Sequence, residues 1–204
     1  MSWWKKRFAR YRVPSNSAGR ISLSMNRRIF LSIASALLAR ARAWAGTEKP
    51  KQIYLIRHGE KNGDKNDIHL NARGFERAAA LARLFPNVLD TPEFLFASKQ
   101  SLHSNRPVET ITPLGRALGL PINDDFANES YGALAKELLA HYGGKTVLVC
   151  WHHGNLPGLA AALGVTELRV WPETQFDRVW RLRYSAAGVT SFDDLPQRLL
   201  SRDS

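Results

Sequence analysis

Two short apolar runs, each ending on histidine, constrain this chain more than any other feature. Gln-Ile-Tyr-Leu-Ile at 52–56 runs into Arg57-His58-Gly59-Glu60, and Thr-Val-Leu-Val-Cys-Trp at 146–151 runs into His152-His153-Gly154. Runs of this length, rich in β-branched and aromatic residues, read as buried strands. In an open α/β sheet the ligand crevice lies beyond the carboxyl ends of the strands. Arg57 and His58 are therefore candidates for a site, as is the pair His152 and His153.

The segments between and after these runs alternate. Residues 61–68, rich in Asn, Asp, Gly and Lys, read as a surface loop near His58. Asn71 fits an N-cap, and Phe75, Ala78, Ala79, Leu81, Ala82 and Phe85 recur at helical spacing up to Pro86. A strand is expected at 94–97, then a polar segment at 98–105, then a helix from Pro107 to Leu118 with Gly119 as its stop. A short strand at 121–124, a helix at 131–142 ended by Gly143-Gly144, and a helix at 156–163 complete the alternation. Arg178 to Tyr184, with Val179, Trp180, Leu182 and Tyr184 among arginines, reads as a strand that pairs with 188–192 in an antiparallel edge hairpin. The expected fold is α/β: a three-layer α/β/α sandwich whose central sheet is mainly parallel with an antiparallel edge.

Charge separates the chain into two parts. The formal charge of +11 suggests a nucleic-acid partner, yet ten of the 29 Lys and Arg lie in residues 1–45, which hold no Asp or Glu. Nineteen basic residues then face all 18 acidic ones over the rest, so the domain is nearly neutral and no nucleic-acid partner is expected. Residues 1–24 lack periodicity and precede Met25, a possible true start. From Met25 a basic stretch with Arg27-Arg28, an apolar run at 29–39 and Ala43-Trp44-Ala45 have the layout of a signal peptide. The apolar run is too short to span a bilayer, so no stable membrane insertion is expected once the signal is removed. Paired arginines before x-Phe-Leu resemble the twin-arginine export signal, which implies a folded domain, 46–204, delivered to a bacterial periplasm. Cys150 is the only cysteine; within an apolar strand it reads as a buried, inert thiol.

Four motifs stand in a recognisable order: Arg57-His58-Gly59-Glu60; Leu70-Asn71-Ala72-Arg73-Gly74 with Arg77-Ala78; Arg106 with Thr110; and an apolar strand leading to His-Gly. Over about residues 51–184 they resemble the histidine phosphatase superfamily, the phosphoglycerate mutase-like proteins. The resemblance implies a metal-independent, cofactor-free phosphomonoester hydrolase that acts on a small-molecule phosphate ester through a phosphohistidine.

The residue types suit that chemistry. A phosphomonoester is doubly anionic at neutral pH, and arginine donates forked hydrogen bonds to phosphate oxygens without ever deprotonating. Arg57 and Arg106 would form such a clamp. His58, largely neutral at pH 7 and made more so by adjacent guanidinium groups, would attack phosphorus. Gly59, lacking Cβ, would let backbone and phosphate approach. A second histidine would hydrogen-bond the transferring group. His153-Gly154 fits the family pattern directly, so His153 is favoured, with His152 orienting it or lining the pocket. The acid for the leaving oxygen would be Glu129, or Glu60 as second choice; Glu129 also reads simply as a helix N-terminal acid. Ser98 is a further candidate phosphate contact, although the family's arginine follows closer than Arg106 does here. The extra residues 99–105 are where a departure in substrate preference is expected. Thr110 reads as helix packing. Two other readings stay open: a noncatalytic protein that binds phosphate or another anion in the same pocket, and a phosphomutase.

Overall fold

All six residues of β1 (Gln52–Arg57) and all six of β4 (Thr146–Trp151) are buried. They pair in parallel, in a register running from Gln52↔Thr146 to Arg57↔Trp151. Our computed structural model describes residues 48–203 except Lys65, Pro86 and Leu168. The expectations for Met25, Arg27-Arg28 and the 43–45 cleavage site therefore lie outside the described residues.

Around this pair the sheet has six strands in the order β3-β2-β4-β1-β5-β6, with β2 at Phe94–Ala97, β3 at Ile122–Asn123, β5 at Arg178–Ser185 and β6 at Gly188–Pro196. The first four in that order run parallel; β5 is antiparallel to β1 and β6 to β5. Helices α1 (Ala72–Leu84), α2 (Arg106–Leu118), α3 (Tyr131–His141) and α4 (Leu156–Ala162) cover the sheet. Alternation along the central strands separates the two faces. Ile53, Leu55, Val147, Val149 and Trp151 pack with Leu134, Leu138, Leu156 and Leu159 of α3 and α4. Tyr54, Ile56, Leu148 and Cys150 pack with Leu81, Leu84, Ile111 and Leu114 of α1 and α2. This is the three-layer arrangement expected from the sequence. Gly119, in the left-handed region at φ 66°, ends α2 as anticipated.

This layout creates a switch point. From the end of β1 the chain passes to α1 on one face, and from the end of neighbouring β4 it passes to α4 on the other. Strand ends that diverge in this way leave a crevice between them. No helix among the described residues is long and apolar enough to cross a membrane.

Two elements differ from the sequence expectation. Strand β6 extends to Pro196, because Asp193 and Asp194, which look like loop residues, pair with Arg181 and Arg178 across the hairpin. The buried face of α1 is also rotated. Phe75 is half exposed and Ala79 exposed, while Gly74, Arg77, Ala78, Ala80, Leu81 and Leu84 point inward.

Arg77 is buried because it is fully paired. Its Nη2 lies 2.8 Å from both Glu60 and Asp203, its Nε donates to Glu60, and its Nη1 donates to Gln197 and Asp203. Burial alone would push the Asp203 carboxyl up; Arg77 and the N–H groups of Leu200 and Leu199 more than offset this and hold it at about 2. The network ties the loop after β1 and the C-terminal segment to α1. Removing one partner of a buried pair of this kind costs about 3–5 kcal/mol.

The start of α1 touches the loop after β1 directly. A Cβ on Gly74 would lie 2.4 Å from the Glu60 carbonyl oxygen and 2.9 Å from its nitrogen, and a Cβ on Gly59 would lie 3.0 Å from the Gly74 carbonyl oxygen. Helix propensity alone predicts that Gly74→Ala stabilises by about 0.5–1 kcal/mol. The backbone contact instead predicts destabilisation of about 1–3 kcal/mol, a difference in sign that denaturant titration resolves.

Candidate active site

The β1–β4 register decides which histidines meet. Arg57 stands opposite Trp151, so the next residues, His58 and His152, are level with each other, and the His58 N–H donates to the Trp151 carbonyl at 3.1 Å. The two imidazole rings lie edge to face with centroids 5.1 Å apart. His152 is therefore the histidine brought against His58, whereas the His-Gly motif had favoured His153. The chain turns immediately afterwards, where the His152 carbonyl accepts from the N–H groups of Asn155 and Leu156.

His58 is 2% exposed, enclosed by His152 and by Phe176, whose ring centroid is 6.2 Å away. Its Nδ1 lies 2.7 Å from the Gly59 carbonyl oxygen. A carbonyl only accepts, so Nδ1 carries the proton and Nε2 keeps its lone pair. Burial first, then His152, Arg57 and Arg106, hold the His58 pKa well below the ordinary histidine range, against the opposing Gly59 hydrogen bond. At neutral pH His58 is an uncharged imidazole with a defined tautomer.

Arg57 is fully buried. Its Nη1 donates to the carbonyls of Pro172, Glu173 and Gln175, and its guanidinium sits 3.8 Å from the centroid of Phe176. Nε and Nη2 make no hydrogen bond within the protein. Burial lowers its pKa to about 10, which leaves it charged at neutral pH. Arg106, at the first position of α2, donates from Nη1 to the Asp67 carbonyl at 2.8 Å and from Nη2 to the His103 carbonyl at 3.1 Å. Its Nε is also without a partner. Buried guanidinium N–H groups normally find acceptors. Three such groups, on Arg57 and Arg106, have none within the protein.

Thr110 does more than pack. Its hydroxyl donates to the Arg106 carbonyl at 2.7 Å and accepts the Gly59 N–H at 2.8 Å, linking the residue after His58 to the helix that carries Arg106. The Gly59 N–H is thereby engaged within the protein, and its missing Cβ makes room for Gly74. Its small size serves the helix contact. Glu60 is likewise held by Arg77 and Arg73, away from the histidine pair.

His152 and Arg106 line a cleft of about 450 Å³ together with Lys99, His103, Asn128 and Glu129. Burial, then Arg106, His153 and Arg57, lower the His152 pKa to about 4, so it too is neutral at pH 7. Glu129 is exposed at the rim, in a 3₁₀ turn at Asn128–Ser130. That turn is anchored to the end of β4, because the Asn128 carbonyl accepts from Trp151 Nε1 and Asn155 Nδ2, each at 3.1 Å. Ser98, at the end of β2, is 1% exposed and its Oγ has no partner, but it does not line this cleft. His153 is only partly buried, and its surroundings include Arg57, Glu173 and Lys61.

Within the extra residues 99–105, residues 101–104 form a tight turn closed by an antiparallel bridge between Ser101 and Ser104, and the cleft wall includes Ser101, His103 and Ser104. Sequence reasoning missed Phe176 and the three carbonyls around Arg57. No motif marks them, since all four contacts, the three carbonyls and the ring, come from 172–176, a stretch without periodicity.

No curated protein sequence matches the chain. A mycobacterial glucosyl-3-phosphoglycerate phosphatase solved with inorganic phosphate has a TM-score of 0.53 at 17% identity, over 70% of this chain and 95% of that one. The protein histidine phosphatase SixA, solved with tungstate, has a TM-score of 0.50 at 18% identity, over 72% of this chain and 97% of that one. At these identities the likeness shows the fold. Residues 53–133, which carry Arg57, His58, Arg106 and Glu129, match the family model described as histidine phosphatase superfamily (branch 1), and over this stretch the chain is similar to that superfamily.

Proposed function

We propose that this protein is a phosphomonoester hydrolase that works through a covalent phosphohistidine at His58, without a metal ion. The observation that carries the reading is the pairing of a neutral, tautomerically fixed His58 with nearby guanidinium groups in which Arg57 Nε and Nη2 and Arg106 Nε have no partner in the protein. Nε2 of His58 attacks phosphorus as the ester oxygen departs, and water then opens the phosphohistidine. Arg57 and Arg106 offset the charge on the equatorial oxygens, the main requirement in this type of transfer. His152 hydrogen-bonds the transferring group; the incoming dianion counteracts Arg106 and favours its protonated form.

Glu129 is the proposed acid for the leaving oxygen. It shares the cleft with His152 and Arg106, where simple anion capture needs no carboxylate. Hydrolysis over the noncatalytic reading is supported on that ground. The polar wall of Lys99, Ser101, His103 and Ser104 favours a small, polar alcohol as the leaving group. We also propose export through the twin-arginine-like leader, from its sequence alone; changing Arg27 and Arg28 to Lys is expected to leave the protein in the cytoplasm, by cell fractionation.

A leaving-group series tests the enzymatic reading. With excess chelator present, the full chain should hydrolyse alkyl and nitrophenyl phosphates, and His58→Ala should lose at least about a thousandfold in kcat/KM. Glu129→Gln should lower kcat/KM by about a hundredfold for alkyl phosphates, which need a proton on the departing oxygen, and by under about fivefold for nitrophenyl phosphate. Because the His58 pKa is depressed, kcat/KM corrected for substrate ionisation should stay level as pH falls through 6.5 and decline only well below it. A midpoint at 6.5, or an equal effect of Glu129→Gln on both substrates, would contradict these assignments.

A further inference from the structure

The segment 172–176 is built around the first arginine of the site. Three of its backbone carbonyls converge on Arg57 Nη1, and the Phe176 ring lies flat enough against the guanidinium for its centroid to be 3.8 Å from Cζ. Phe176 is half-buried and its ring reaches towards His58, 6.2 Å away. The segment is anchored. The Gln175 carbonyl also accepts from Trp171 Nε1 at 2.8 Å, the Gln175 N–H donates back to the Pro172 carbonyl at 3.1 Å, and Trp171 packs at 4.8 Å on Trp180 of β5 in the core. A cleft lined by Glu60, Arg73, Arg77 and Asp203 opens on the outer side, with Phe176 in its wall. Phe176 therefore separates the Arg57–His58 pair from solvent in that cleft.

Two consequences follow from this placement. With Nη1 committed to the carbonyls, Arg57 has only Nε and Nη2 left to offer a ligand, so the segment sets the direction of the clamp. The aromatic ring also takes the place of water beside two titratable groups, and loss of hydration disfavours a charged imidazole.

We propose that Phe176 is a positioning residue, which aims Arg57 and, by excluding water, keeps His58 uncharged and ready to act as a nucleophile. The roles of Arg57 and His58 rest on the phosphohistidine reading; the placement of the ring does not. The charged and titratable groups around the pair are His152, Arg106, Glu60, Glu173 and His153. Glu60 lines the same outer cleft as the ring, and Glu173 lies on the ring's own segment, where its carbonyl, like its neighbours', faces Arg57. Burial is the largest influence on both Arg57 and His58, which is the influence a ring in this position exerts.

The test is a histidine NMR titration of the full chain, with the His58 signal assigned by its loss in His58→Ala. In the wild type the His58 midpoint should lie well below 6.5. Phe176→Ala should raise it by about one unit or more, a tenfold gain in protonation at a given acid pH, whereas Phe176→Leu, apolar without a ring, should hold it near the wild-type value. If Phe176→Ala does not fold, Phe176→Gln retains more of the side chain, admits polarity and carries the same expectation. The acid limb of kcat/KM should move with the NMR midpoint. An unchanged midpoint in a folded Ala or Gln variant overturns the proposal. Absence of hydrolysis in the wild type would count against the phosphohistidine reading alone, since the titration needs no turnover.

Discussion

The parallel pairing of β1 with β4, ending level, is the constraint on which the site depends. Twelve buried residues hold the two strands in a single register, and a slip of one position would reverse the face presented by every side chain of the moved strand. With that register fixed, His58 and His152 follow as the next facing pair. The chain then leaves β1 for one layer of helices and β4 for the other, which opens the crevice between the two histidines and the cleft beyond. The site is a property of where two strands stop together.

Two buried arginines show how the same side chain serves structure and function. Arg77 has its donors matched by Glu60, Asp203 and Gln197, so its charge is neutralised inside the fold and it holds three segments together. Arg57 has no carboxylate hydrogen bond. Carbonyls and an aromatic face stabilise its charge, and two donor nitrogens stay without a protein partner. The first pattern completes a network; the second leaves capacity for an anion from outside. Glu60, adjacent in sequence to the histidine motif, belongs to the first pattern and not to the second.

Much of this was legible in the sequence for physical reasons. Fully buried strands have no polar alternation, so β1 and β4 stood out as uninterrupted apolar runs, and Gly119 and Asn71 marked helix ends through their backbone roles. Arg57 and His58 stood out at the end of a buried strand, and Arg106 stood out through the order of motifs that resembles the superfamily. What stayed hidden depended on pairing across the chain. Seeing that His152 lies against His58 required the relative level of two strand ends, which the His-Gly motif does not carry. The orientation of α1 was misread because Arg77 looks solvent-facing until Asp203, 126 residues away, is placed beside it. Thr110 and Phe176 act through a backbone N–H and a guanidinium from other elements, and neither contact leaves a local pattern.

The central claim is that His58 carries the phosphoryl group between substrate and water. Rapid mixing of the full chain with a phosphate ester, quenching in alkali where phosphohistidine survives, and fragment mass analysis would test it most directly. The account predicts a transient adduct of one phosphoryl group on His58, formed and consumed at rates compatible with turnover. Turnover without any adduct, or an adduct carried by another residue, would contradict it.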